Sequence, residues 1–384
     1  MEGRGTAPVC VGVLAMAVSC GSEPTAAPEP VCPAEQRIGS ACVGVPASAM
    51  CRDASWTEGV TCSSVVEVGA ASELTAALAA AGSGTCITLG PGWYGSAELG
   101  AGVALLGRGA GCVHVQGVTM AAGDGSVLRG VALGSGGVVV TGAGPARVEA
   151  VRVEGSAVDG VQVADGASVE VVQSEIVGSH RYGLSASGPG ETTVRESLIT
   201  RSGGPGAWLT CETEGDPCQC GGKVVLDTVV VRKNSIVGLE LESVEATLDN
   251  VDVGDQELGA GYQPGGGVEA IRCARVTAKG LRIHDNTNFG LLLDDSDATL
   301  GDSNDPGGVE VRGNSIGVAV MHAKDRHIAF EGADIEDNGG VGLFIQSNAS
   351  RVMLATSAIR RTRKIGVPVL MGGVSAGKSR LATA

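Results

Sequence analysis

Glu240, Glu242, Glu269, Asp294 and Asp295 stand shortly after three glycines, Gly238, Gly267 and Gly290, each of which opens the same short apolar phrase. Side chains two residues apart on a strand face one way, and parallel neighbours lie about 4.8 Å apart. If the phrase winds, these carboxylates line one face on successive turns of chain, roughly 5–10 Å apart. Glycosidases use pairs of carboxylates at such separations for acid–base or nucleophilic work. The same oxygens could also hold Ca²⁺, and no other cofactor is expected. A third reading needs no ligand at all, because an acidic stripe is often only a hydrated surface. Arg272 and His284 are the basic residues closest in phase.

Other residues with chemical potential are isolated. His322 and His327 flank Lys324-Asp325-Arg326 without a third ligand nearby, which reads as a solvated turn. Asp302-Ser303-Asn304-Asp305-Pro306-Gly307 has the letters of a Ca²⁺ loop, but Pro306 and Gly313 break the helix–loop–helix pattern, so a spacing turn is expected. Gly372-Gly373-Val374-Ser375-Ala376-Gly377-Lys378-Ser379 matches the phosphate-binding loop letter for letter, yet only five residues follow Ser379, too few for the helix that must hold the phosphate. No nucleotide partner is expected from it. Of the aromatics, Trp208, Phe344, Phe289, Tyr182 and Tyr262 are candidates for stacking on sugars; Trp208 and Phe344 stand at outward positions of distant repeats, where a loop-packing role is the simpler expectation.

The element that must position the carboxylates is the phrase itself: apolar-x-apolar-x-x-(Ser/Asn)-x-x-x-Gly-apolar-x-apolar. Its glycine recurs at Gly137, Gly160, Gly183, Gly206, Gly238, Gly267, Gly290, Gly317, Gly342 and Gly366. Such a period is the mark of a solenoid. After each glycine two positions are always apolar, from Val138/Val140 through Leu239/Leu241 and Leu291/Leu293 to Val367/Val369. The residue between them varies freely (Gln162, Ser185, Trp208, Glu240, Glu269, Phe344), so it points outward. Four residues before the glycine stands Ser156, Ser179, Ser202, Asn234, Asn286, Asn338 or Thr362, expected to turn a corner in the left-handed region and to form a polar ladder. A third strand lies between phrases, as at Val169-x-Val171 and Ala298-x-Leu300. Three strands and three turns make a triangular parallel β-helix, whose windings bury a common core only when stacked. Ser72–Gly82 reads as one helix, capped by Ser72, that can plug the first winding.

The chain of 384 residues carries 62 Gly and a net charge of −15, which argues against nucleic acid as a partner. Val9–Val18 is a ten-residue apolar run, too short to span a bilayer, and reads as a signal peptide over 1–19. Ala17-Val18-Ser19-Cys20 resembles a bacterial lipoprotein box, with Cys20 the lipidated residue and the lipid the only link to a membrane. Cysteine parity agrees: of 12 Cys, loss of Cys10 and lipidation of Cys20 leave an even set. Residues 20–31 are then the anchor and tether, 32–65 a small module stapled by Cys32, Cys42, Cys51 and Cys62, and 66–384 the β-helix. Cys86 and Cys112 are about one winding apart and suit a bridge between rungs, and Cys211, Cys218, Cys220 and Cys273 suit a pinned loop.

The run Leu74-Thr-Ala-Ala-Leu78 followed by Gly84-Thr85-Cys86-Ile87-Thr88-Leu89-Gly90-Pro91-Gly92-Trp93-Tyr94 and Gly102-Val103-Ala104-Leu105-Leu106-Gly107 resembles the opening of the right-handed β-helix proteins of the pectin-lyase-like superfamily. The resemblance implies an all-β, right-handed parallel β-helix of about 11–12 coils with a short N-terminal capping helix. It also implies that chemistry, where present, sits on the outward face of the strand after the glycine. The catalytic sets of that superfamily are missing: there is no Asn-Thr-Asp, Gly-His-Gly or Asp-Pro-His-Asp, and Arg282-Ile283-His284 is only a partial match to Arg-Ile-Lys. The expectation is therefore an exported, lipid-anchored surface or periplasmic protein, held at the outer membrane, with a binding or structural role and a glycan or cell-surface partner. Its alternatives are a polysaccharide lyase, hydrolase or epimerase working along the acidic face, and a Ca²⁺-stabilised adhesin-like solenoid.

Overall fold

A computed structural model describes residues 32–211, 217–257, 265–302, 304, 308–323, 325–346 and 352–362, with strand segments Val374–Ala376 and Arg380–Leu381. Residues 1–31, with the signal run, Cys20 and the tether, lie outside the described residues, as do Tyr262 and Val367/Val369.

The chain is a right-handed parallel β-helix: its long sheet pairs strands in parallel from winding to winding, with the right hand that parallel crossovers adopt. The apolar pairs of the phrase stack in register. Val118, Val138, Val161, Leu184, Ala207, Leu239, Val268, Leu291, Val318 and Leu343 form one column. All of them are buried in one continuous core. Each such Val or Leu contributes about 1.5–3 kcal/mol when fully buried. The third column runs Ala146, Val169, Thr192, Val224, Ala246, Val276, Ala298, Ile328 and Val352.

The repeated glycine makes room for the next winding. A Cβ at Gly267 would lie 2.4 Å from both the Gly290 carbonyl oxygen and Ile283 Cγ2, and 2.9 Å from Asn286 Nδ2. Gly160, Gly183, Gly206, Gly238, Gly290 and Gly317 face equally close atoms. Among the repeat glycines that are described, only Gly137 has a positive φ, of 58°.

The polar corner forms a buried ladder, with one correction to its geometry. The left-handed residue is the one before the ladder residue (Ser, Asn, Gln or Thr): Arg201, Lys233, Asp255, Asp285, Asp337 and Arg361 all have φ between 51° and 59°. That leaves the ladder side chain free to turn inward and accept from the preceding winding. The Ser202 amide donates to Asn234 Oδ1 (2.9 Å), the Asn234 amide to Gln256 Oε1 (2.8 Å), and the Gln256 amide to Asn286 Oδ1 (3.2 Å). The Asn286 and Asn314 amides continue it to Asn314 and Asn338 (3.1 Å each). Gln256 and Asn314 were not among the expected corners, because the spacing to their glycines differs from four.

The helix is Ala71–Ala80, and Ser72 is not its cap. Glu73 serves instead, its carboxylate accepting from the Gly69 and Ala70 amides (2.9 and 3.1 Å). Leu74 and Ala77 enter the core at the open first winding.

Residues 32–62 do not close on themselves. Cys32–Cys42 is internal, but Cys51–Cys112 and Cys62–Cys86 tie the segment to the β-helix, so Cys86 and Cys112 each pair with the segment and not with one another. The segment crosses outward side chains as a strap. Ile38 and Val43 pack on Leu198 and Val230, and the buried Glu175 accepts from Gln36 Nε2 (2.9 Å) and the Val45 amide (3.2 Å). The last four cysteines pair Cys211–Cys220 and Cys218–Cys273. Five disulfides place the chain in an oxidising, extracytoplasmic setting. Among the described residues no helix is long and apolar enough to cross a membrane. Of the phosphate-loop letters, only Val374–Ala376 is described, as a strand paired with Val352–Leu354.

Candidate functional site

The acidic stripe lies on the strands Ala207–Thr210, Val237–Glu242, Gly266–Ile271 and Phe289–Asp294. Their register sets Trp208, Glu240, Glu269 and Leu292 side by side on consecutive windings. Two residues further along, Thr210, Glu242, Ile271, Asp294 and Met321 form a second outward row. Glu240 and Glu269 are therefore direct neighbours about 4.8 Å apart along the axis. Glu242 and Asp294 are separated by Ile271.

The carboxylates differ in their partners. Glu242 is buried and takes a hydrogen bond from Arg272 Nη1. Asp294 Oδ1 lies 2.7 Å from His322 Nδ1. Asp295 has φ 49° and turns the corner out of the stripe, where its Oδ1 accepts from Arg326 Nε at 2.8 Å. Arg326 also lies 3.0 Å from Cys273 Sγ, so the Cys218–Cys273 bridge flanks this end of the row. Glu240 stands in register beside Trp208, whose side chain acts to lower its carboxyl. Among the described residues, no cationic side chain makes an ion pair or hydrogen bond with Glu240 or Glu269.

This leaves the pair protonated more readily than ordinary carboxylates. Burial, then the charges of Glu240, Asp294 and Glu242, push Glu269 up to about 7. Burial and the charge of Glu242 raise Glu240 as well, against the opposing effects of the Trp208 side chain and the Arg272 charge.

An aromatic platform adjoins the pair. The Tyr182 and Trp208 rings are stacked with centroids 5.2 Å apart and planes at 21°. Arg181 lies over Tyr182 at 5.0 Å and is held by the buried Asp159, which accepts from Arg181 Nε (2.7 Å) and Nη2 (2.8 Å) and from Ser185 Oγ (2.7 Å). Burial works to raise the Asp159 carboxyl, but these donors outweigh it and hold it below the usual range. Trp208, for which loop packing is the simpler expectation from sequence, stands on the rung next to Glu240. Asp159 carries no sequence signal beyond its place directly before Gly160.

His284 belongs elsewhere. It lies on Leu281–His284, a different face from the stripe, with Nε2 3.2 Å from Asp252 and Nδ1 2.9 Å from Asp285. Asp255, His284 and Asp285 offer ligand atoms within 4.8 Å of one another. Phe344 follows Ala319 at the far end of the outward column, and Phe289 is half-buried beside Ile316. Two clefts open away from the stripe: about 450 Å³ beside Arg147, Glu170 and Arg195, and about 720 Å³ beside Trp93, His114 and Arg152.

No family model matches the chain, and no curated protein is similar to it. Solved structures of low similarity share its winding. The catalytic domain of a GH87 α-1,3-glucanase is 12% identical with a TM-score of 0.36, over 77% of this chain and 64% of that one. The chain thus spans less than two thirds of that domain's length. An alginate lyase from Paenibacillus sp. is 15% identical with a TM-score of 0.37, over 83% of this chain and 99% of the lyase. The A-module of the mannuronan C-5 epimerase AlgE6 from Azotobacter vinelandii is 16% identical with a TM-score of 0.39, over 80% and 74%.

Proposed function

We propose that the protein is an exported β-helix that holds a glycan chain against the outward face carrying Tyr182, Trp208, Glu240 and Glu269. One observation supports this above the others: an aromatic pair stacked directly beside two carboxylates that have no cationic partner among the described residues. Tyr and Trp offer flat apolar surface with a polar tip. Carboxylates accept hydrogen bonds from sugar hydroxyls. The windings repeat along the axis, so a linear polymer meets the same face at successive steps. Electrophoresis through gels containing soluble polysaccharides tests the reading. Retardation by at least one of a neutral glucan, a xylan, a chitosan or a polyuronate is expected, and unchanged mobility in all four contradicts it.

Chain cleavage at the same face is a second reading, favoured by Glu269 alone. A carboxyl group that keeps its proton near neutral pH beside an ionised one is the pairing that protonates a leaving oxygen. Release of new reducing ends from whichever glycan binds separates cleavage from simple holding.

The proposal includes anchoring through a lipid on Cys20. Radiolabelled palmitate enters the wild-type protein and not Cys20→Ala; equal labelling of both removes the anchor from the account.

A further inference from the structure

Resting on the reading of this face as a glycan site, we infer that its ligand is an amino sugar polymer, a chain of 2-amino-2-deoxy-hexose units carrying free ammonium groups, and not a uronate. The argument is one of charge at close range. Glu240, Glu242, Glu269 and Asp294 lie on two adjacent outward rows over three windings. Arg272 answers Glu242, and His322 answers Asp294. No cationic side chain among the described residues pairs directly with Glu240 or Glu269, although the charge of Arg272 also acts on Glu240. A uronate carboxylate brought here adds a further like charge to the group, and like charges at this range disfavour ionisation of all of them. A neutral sugar leaves the Glu240–Glu269 repulsion as it stands. An ammonium on a ring stacked against Trp208 and Tyr182 takes the place of the proton that Glu269 otherwise retains and pairs with both carboxylates at once. Burial is the main cause of the raised proton affinity of Glu269, and the charges of Glu240, Asp294 and Glu242 add to it. The overall charge of −15 favours approach of a polycation, so specificity must be tested against a plain one.

The experiment is calorimetric titration at pH 6 of the full exported chain with four probes: the glucosamine hexamer, the N-acetylglucosamine hexamer, the galacturonate hexamer with and without Ca²⁺, and hexalysine. The glucosamine hexamer is expected to bind at least roughly tenfold more tightly than each of the others, a factor that added salt reduces. Glu240→Gln/Glu269→Gln should abolish that preference, with circular dichroism showing the fold retained. Hexalysine binding as tightly as the amino sugar overturns the inference. So does a preference for the acetylated or galacturonate hexamer, with or without Ca²⁺, although either of these leaves the glycan reading standing. Absence of binding by all three sugar hexamers overturns the inference, and the glycan reading falls with it only if the glucan and xylan gels also leave the mobility unchanged.

Discussion

Gly267→Val destroys the packing of the central windings, while Gly82→Ala leaves stability within about 0.5 kcal/mol of wild type. The new Cβ at position 267 would stand 2.4 Å from a backbone oxygen, that of Gly290, and 2.4 Å from the buried Ile283 Cγ2. Neither atom is the free end of a flexible side chain, so the winding itself has to move. Overpacking of a tight core costs about 1–3 kcal/mol and more where backbone must shift. The displaced winding also carries Asn286, whose Oδ1 receives the Gln256 amide and whose Nδ2 donates to Asn314 Oδ1 at 2.8 Å. Loss of those buried bonds adds about 1–3 kcal/mol for each orphaned group. Gly82 has nothing within 4 Å of its added Cβ and no positive φ. Thermal unfolding followed by circular dichroism compares the two variants; a Gly267→Val protein as stable as Gly82→Ala would refute the stacked-winding account.

Trp208→Ala removes most of the glycan binding while leaving the fold in place. Its indole is half-buried, stacked on Tyr182 and set in register beside Glu240. Aromatic anchors at the centre of a binding face typically contribute about 2 kcal/mol or more, equivalent to roughly thirtyfold in affinity. The winding keeps its inward neighbours Ala207 and Leu209, both fully buried, so unfolding is not the cause of the loss. Retardation of Trp208→Ala equal to wild type in the polysaccharide gels would place the ligand elsewhere, with the Trp93 cleft the next surface to examine.

The windings were legible because one glycine phase and two apolar positions recur whatever lies between them. Leu239, Leu291 and Val318 fall in one column as their spacing implies. The stripe was legible for the same reason, since phase alone places Glu240 next to Glu269. What phase cannot show is who answers each charge. Asp295 leaves the stripe because its backbone turns left-handed, and His284 joins Asp252 on another face. The corner ladder slipped at Gln256 because the segment between it and Gly267 is longer than the phrase allows. The cysteine pairing was not legible, because a strap that runs back along the rod brings Cys51 and Cys62 to partners set by tertiary contact and not by repeat length. The Tyr182–Trp208 stack joins neighbouring windings, and two isolated aromatics in a sequence carry no sign of it.

The titration of the Glu269 side-chain carboxyl, followed by carbon NMR of protein labelled at glutamate, tests whether these carboxylates crowd one unanswered face. A folded value of about 7 against an ordinary 4.5 means that, as pH rises from 4.5 to 7, the unfolded chain releases a proton the folded one retains. Stability therefore falls with rising pH across that window and is level above it. The account predicts a midpoint near 7 that drops toward the ordinary value in Glu240→Gln. A midpoint near 4.5 in wild type, unmoved by that substitution, would contradict it.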